Sequence, residues 1–150
     1  MSEPPVKLFG PRCVYLRSLS MEVNGTSHQE SPKPTVTFAF DTTVTYLGEA
    51  AYEVILRLQV EGHWSSGPCY LCEVHQAGFF LIRGFQGRAL DVVLEVNSPF
   101  QLFPYAANAA NTSIRRAGFT PELPERVDFG VFFQRRRLPR LEVPPRVPRV

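Results

Sequence analysis

The residues of this chain best suited to chemistry lie close together. Cys69, Cys72 and His75, spaced Cys-x-x-Cys-x-x-His, offer two thiols and an imidazole, the donor types of a zinc site. The ribbon that carries them argues against that use: successive side chains of a strand point to opposite faces, so Cys69 and His75 share one face and Cys72 takes the other. No fourth ligand is spaced to complete the set, and the thiols read as small apolar packing residues. Glu73 separates Cys72 from a haem-attachment Cys-x-x-Cys-His, and a thioredoxin-type motif opens a helix rather than lying within a ribbon. There is no G-x-x-x-x-G-K-[ST] loop and no G-x-S-x-G elbow, and the glycines of 78–87 do not form G-x-G-x-x-G. His28, His63 and His75 fall in a loop, a turn and a strand, with nothing to gather them into a triad. The expectation is a protein without catalytic residues, metal or cofactor, and not an enzyme.

Nucleic-acid binding fares little better. Phe79, Phe80 and Phe85 beside Arg83 and Arg88 mimic an aromatic-basic platform, but phosphate contacts need Lys and Arg in number. The net charge of +2 hides an asymmetry: residues 135–150 hold six arginines (135, 136, 137, 140, 146, 149) against Glu142, which leaves −3 for the remainder. Pro139, Pro144, Pro145 and Pro148 lie in the same stretch. Residues 135–150 are therefore expected to form a basic, proline-rich, disordered tail on a body of residues 1–134, serving either solubility or contact with anionic lipid, nucleic acid or an acidic partner.

The elements that would position any functional side chain begin with strands. Tyr52, Val54, Leu56, Leu58 and Val60 alternate with Glu53, Ile55, Arg57, Gln59 and Glu61, the period-2 signature of a strand with one buried face. A second ribbon follows the turn His63 to Pro68. Val14 to Val23 alternates loosely, and Thr35 to Thr42 puts Val36, Phe38 and Phe40 on one face and Thr37 and Ala39 on the other. Between these two lies 24–34, rich in Asn, Gly, Ser and Pro, expected as a mobile loop.

After Gly84 the pattern changes. Arg88 to Val96 is expected as a short helix or crossover stopped by Asn97-Ser98-Pro99, Tyr105 to Ala117 as a helix capped by Gly118, and Arg126 to Arg137 as a last helix. Strands followed by helices make α+β: a four-stranded antiparallel sheet with helices packed on one face. At 150 residues the chain suits one domain able to bury a core. Three cysteines are too few for a disulfide framework and fit a reducing compartment, with the cytoplasm as the default. The start has no charged segment followed by an apolar run, and no run approaches the ~20 residues that span a bilayer, so neither export nor insertion is expected.

Twelve phenylalanines exceed what one modest core needs, and Phe100, Phe103 and Phe119 fall in segments without a clear pattern. Apolar side chains in such places complete an oligomer interface or line a groove for another protein's apolar residues.

Four blocks carry a resemblance. Tyr52-Glu-Val-Ile-Leu-Arg57, Leu71-Cys-Glu-Val-His-Gln76, Leu102-Phe-Pro-Tyr-Ala106 and Val127-Asp-Phe-Gly-Val-Phe-Phe133 together resemble the bacterial protein-export chaperone SecB family, over a stretch from about Val14 to Phe133. The resemblance implies a cytoplasmic homotetramer, a dimer of dimers with helices between two sheets. It implies an ATP-independent holdase that binds unfolded precursor proteins and hands them to the SecA motor.

By the same resemblance, the client groove is expected at Val36, Phe38 and Phe40, with Phe100, Leu102, Phe103, Phe132 and Phe133. The contact face for SecA is expected at Ser18, Glu22, Leu71 and Glu73, where the family presents acids to a basic zinc-bearing tail; Ser18 departs from that pattern. Tyr70, Cys72, Val74 and Gln76 are expected to support subunit packing or the groove wall. The arginine-rich end departs from the acidic end of familiar members. It leaves room for an alternative, a SecB-like chaperone dedicated to one partner such as an antitoxin and not coupled to SecA.

Overall fold

The computed structural model describes residues 7–24 and 33–137. The loop expected over 24–34 thus lies, from 25 to 32, outside the described residues, as do 138–150 of the expected tail. The strands are β1 (Leu8–Val23), β2 (Thr35–Gly48), β3 (Ala51–Trp64) and β4 (Gly67–Arg83). They form one antiparallel four-stranded sheet in the order β1-β4-β3-β2, with β1 and β2 at its edges.

Each strand is longer than its sequence pattern because pairing carries the ends. β2 runs six residues past Thr42 since Thr43–Tyr46 stay in register with Tyr52–Ile55. The β2–β3 turn is the two-residue loop Glu49-Ala50, both residues with φ > 0 (52° and 66°), a twist that matches the flanking strands. In β1, shifts in register between Pro11 and Cys13 and between Leu16 and Ser18 explain its loose alternation.

The helical half departs from expectation in one respect. Asn97-Ser98-Pro99 does not stop the chain: α1 (Gly87–Val92), a π-helical turn (Val93–Asn97) and α2 (Ser98–Arg116) follow without a break, and Val92, Val93, Asn97 and Ser98 all have αR backbone. The Ser98 hydroxyl donates to the Val93 carbonyl at 2.8 Å, and this wider turn absorbs the missing N–H of Pro99. Phe100 and Phe103 therefore lie in a regular helix, not in irregular chain. α3 spans Phe129–Arg137 and starts later than expected because Asp128 caps it, its carboxylate accepting the Val131 N–H at 3.2 Å.

The core lies between one sheet face and α2. Val54, Leu56, Leu58 and Val60 of β3 and Tyr70, Cys72, Val74 and Phe80 of β4 meet Leu102, Phe103, Ala106, Ala110 and Ile114 of α2, whose spacing of three and four makes one helical stripe. Ala106 and Ala110 let the helix approach the sheet closely. α2 packs across β4 and β3 and touches β1, so β2 lies beyond its cover.

Tyr70, Cys72, Val74 and Gln76 belong to this covered face and are buried within the single chain, so the protomer's own helix already covers the residues expected to pack subunits or wall the groove. Burial pushes the Cys72 thiol up to about 11. The unfolded thiol ionises from about 9, so Cys72 stabilises the fold fully below that pH and loses its contribution as the pH rises from about 9 to 11. Cys13 is exposed, whereas Cys69 and Cys72 are buried. Titration with a disulfide reagent at pH 8 is expected to find one fast thiol, with the other two reacting only on addition of denaturant.

Candidate functional site

The outward face of the sheet bears charge, and no helix of the described residues packs on it. Register places Ser18 opposite His75, Ser20 opposite Glu73 and Glu22 opposite Leu71, so Ser18, Glu22, Leu71 and Glu73 come together on this face. Glu73 is held within the sheet: its carboxylate lies 2.7 Å from His75 Nε2 and 3.5 Å from Arg57 Nε, both on the same face. Nearby the Tyr15 hydroxyl donates to Glu53, a bond that raises the Tyr15 phenol above its ordinary value, and Arg17 lies 3.3 Å from the same carboxylate. Such exposed pairs are each worth about 0–1 kcal/mol. This face is polar and carries ion pairs among its own side chains. Cys72 points away from it into the core, and among the described residues no three His, Cys, Asp or Glu side chains cluster to hold a metal.

The β2 edge presents a cleft lined by aromatic rings and polar side chains. On β2, Val36, Phe38 and Phe40 continue the inner face past α2; Phe38 is 37% exposed. The Phe40 ring meets Phe129 edge-on at 4.6 Å and Phe132 at 4.4 Å, while Phe129 in turn meets Phe103 at 6.0 Å. Together with Asp41, Thr42, Glu95 and Phe133 these rings line a cleft of about 270 Å³. Phe132 remains 37% exposed, whereas Phe133 is 4% exposed beneath the Arg88 guanidinium, 5.4 Å from its ring centre.

Not every residue expected in the groove reaches it. Leu102 and Phe103 are buried under the sheet, Leu102 entirely, because they stand on the inward stripe of α2. Phe100, 51% exposed, sits on another side of that helix and lines a second, shallower hollow with Val96, Val127, Phe129 and Gly130. Asp41, Thr42, Glu95 and Phe129 line the cleft without having been expected there. Phe129 could have been found, since it stands three residues before Phe132 on one helix face; the two acids carried no signal.

A four-stranded sheet with one helical layer carries an aromatic-lined cleft at its open β2 edge. The family model described as preprotein translocase subunit SecB matches residues 5–139. The chain belongs to the SecB family, whose members are chaperones. The protein-export protein SecB of Dechloromonas aromatica is 34% identical over 137 residues, covering 89% of each chain. That of Alkalilimnicola ehrlichii is 33% identical, over 89% of this chain and 72% of its own. That of Chromobacterium violaceum is 31% identical, over 86% and 87%. Among solved structures, the SecB-like chaperone of Mycobacterium tuberculosis, in complex with a ChAD peptide from an antitoxin, superposes with a TM-score of 0.64 at 16% identity. It covers 80% of this chain and 88% of that one, a likeness of fold. Among the described residues no helix is long and apolar enough to cross a membrane.

Proposed function

We propose that this protein is an ATP-independent holdase that binds unfolded precursor proteins along its β2 edge, keeps them competent for export and delivers them to SecA. The observation that carries it is the cleft around Phe40, Phe129 and Phe132, open beside the half-exposed row of β2. An extended client offers short apolar and aromatic stretches; many weak contacts on one oligomer sum through effective concentration, which selects for unfoldedness rather than sequence. A homotetramer in the cytoplasm belongs to the same proposal, as does docking of the basic SecA tail on the face of Glu22, Leu71 and Glu73.

A second reading, a chaperone dedicated to one partner, draws on the antitoxin peptide of the M. tuberculosis neighbour. It also draws on Glu73 being engaged by Arg57 and His75, and on the serine at position 18. Client-loaded protein is expected to co-elute with SecA on a sizing column, and Ser18→Asp to strengthen that association up to about fivefold at low salt. Client holding without SecA binding in either form would favour the second reading.

A further inference from the structure

Two histidine–glutamate pairs stand on the outward face of the sheet, among the residues expected to receive a basic partner. Glu73 of β4 holds His75 Nε2 at 2.7 Å and Arg57 Nε at 3.5 Å. Glu61 of β3 stands opposite Leu71 in register and holds His63 Nε2 at 3.0 Å. Leu71 in turn stands opposite Glu22 of β1, so Glu22, Leu71 and Glu61 form one row across three strands, with Glu73 two residues further along β4. The paired side chains are between 28% and 39% exposed, so protons reach them from solvent. Toward β1, Ser18 and Ser20 face His75 and Glu73 without charge, and beyond them Arg17 and the Tyr15 hydroxyl both engage Glu53. Toward β2, Thr35 and Thr37 face His63 and Glu61, Lys33 precedes Thr35 by two residues, and Asp41 faces Arg57.

A neutral imidazole can hydrogen-bond a carboxylate without cancelling its charge, whereas a protonated one cancels it. Histidine is the side chain whose ordinary titration falls between about pH 5 and 8. Protonation of both rings therefore adds two positive charges to a surface whose attraction for a cationic partner comes from Glu22, Glu61 and Glu73, the last already offset in part by Arg57.

We propose that His63 and His75 form a proton gate on this face. With both imidazoles neutral, the carboxylates present their charge to the lysine or arginine side chains of a partner; with both protonated, the face loses that attraction and the partner is released. Glu61 thereby acts beside Glu22 and Glu73, on the strand next to Leu71, where Ser18 brings no acid. The inference rests on the reading of this face as the dock for the basic SecA tail and adds its regulation.

The test measures binding of the labelled full-length protein to purified SecA by fluorescence anisotropy, in low salt, at about pH 7.5 and about pH 5.5. The parent is compared with the double variant His63→Gln, His75→Gln, in which each glutamine keeps a donor for its carboxylate but takes up no proton, and with the two single variants. The parent is expected to lose about 5- to 20-fold in affinity between the two pH values, the double variant no more than about twofold, and each single variant an intermediate amount. Raising the salt to about 0.5 M is expected to shrink the parent's loss. A second probe, a labelled peptide of lysine and serine without aromatic residues, is measured in the same way. Where SecA binds, its result decides: a parent that binds equally at both pH values, or a loss of the same size in parent and double variant, overturns the gate. Where SecA binds at neither pH, the SecA reading falls by itself and the peptide decides. A peptide whose binding falls with pH only when the histidines are present then upholds the gate, and one that ignores the histidines or does not bind overturns it.

Discussion

Leu102→Ala is expected to lower folding stability by about 3–4 kcal/mol, measured as a shift in the urea midpoint with unchanged slope. Leu102 is wholly buried between α2 and β4, and the added Cβ of a residue at Gly78 would already lie 3.0 Å from its Cδ2, so no slack surrounds it. Removal of three carbons, Cγ and its two methyl groups, from such a site leaves a cavity that the surrounding β-sheet cannot close. The expected pattern also separates core from groove. Below the denaturation midpoint, the folded fraction of the variant should bind an unfolded client as the parent does, because Leu102 lines neither hollow. A variant that stays as stable as the parent but loses client affinity would put Leu102 in the groove after all.

Gly62→Ala is expected to cost about 3 kcal/mol, for the opposite reason. Gly62 lies in β3 with an ordinary extended backbone, so alanine brings no conformational strain; the cost is steric. A Cβ there would sit 2.3 Å from Cε2 of Tyr70, whose ring is fully buried and packed against Phe119 at 4.8 Å. Burial also pushes the Tyr70 phenol up to about 12, and its hydroxyl finds no hydrogen-bond partner among the described residues. A ring so enclosed cannot swing aside. Tyr70→Leu in the same chain should therefore recover most of the loss, a coupling of more than 1 kcal/mol in a double-mutant cycle. Additive effects of the two substitutions would mean that the ring does not rest on Gly62.

The strands were legible where a segment carries its own period, as β1, broken by two register shifts, does only loosely. Tyr52 to Val60 states its buried face outright, and the register Val60 with Cys72 and Leu56 with Gln76 extends that face into β4. The helical half was less legible. Proline after Asn97 and Ser98 reads as a stop on local grounds, and only the π-helical turn with its Ser98 hydroxyl bond explains why the helix runs on. Core and groove phenylalanines satisfy the same patterns. What separates Phe103 from Phe132 is the reach of α2, which covers β3 and β4 but not β2, and that is fixed by packing rather than by any local residue. The same holds for Glu73, whose place on the outward face followed from alternation, while its hold on Arg57 required the neighbouring strand.

The most direct measurement dilutes a slow-folding precursor from denaturant into buffer without nucleotide, with and without an equimolar amount of this protein, and follows light scattering. The expected result is suppressed aggregation and a precursor that stays soluble and protease-sensitive in complex with a tetramer, weakened when Phe40 and Phe132 are both changed to alanine. A precursor that aggregates or folds at the same rate whether or not the protein is present would contradict the chaperone assignment.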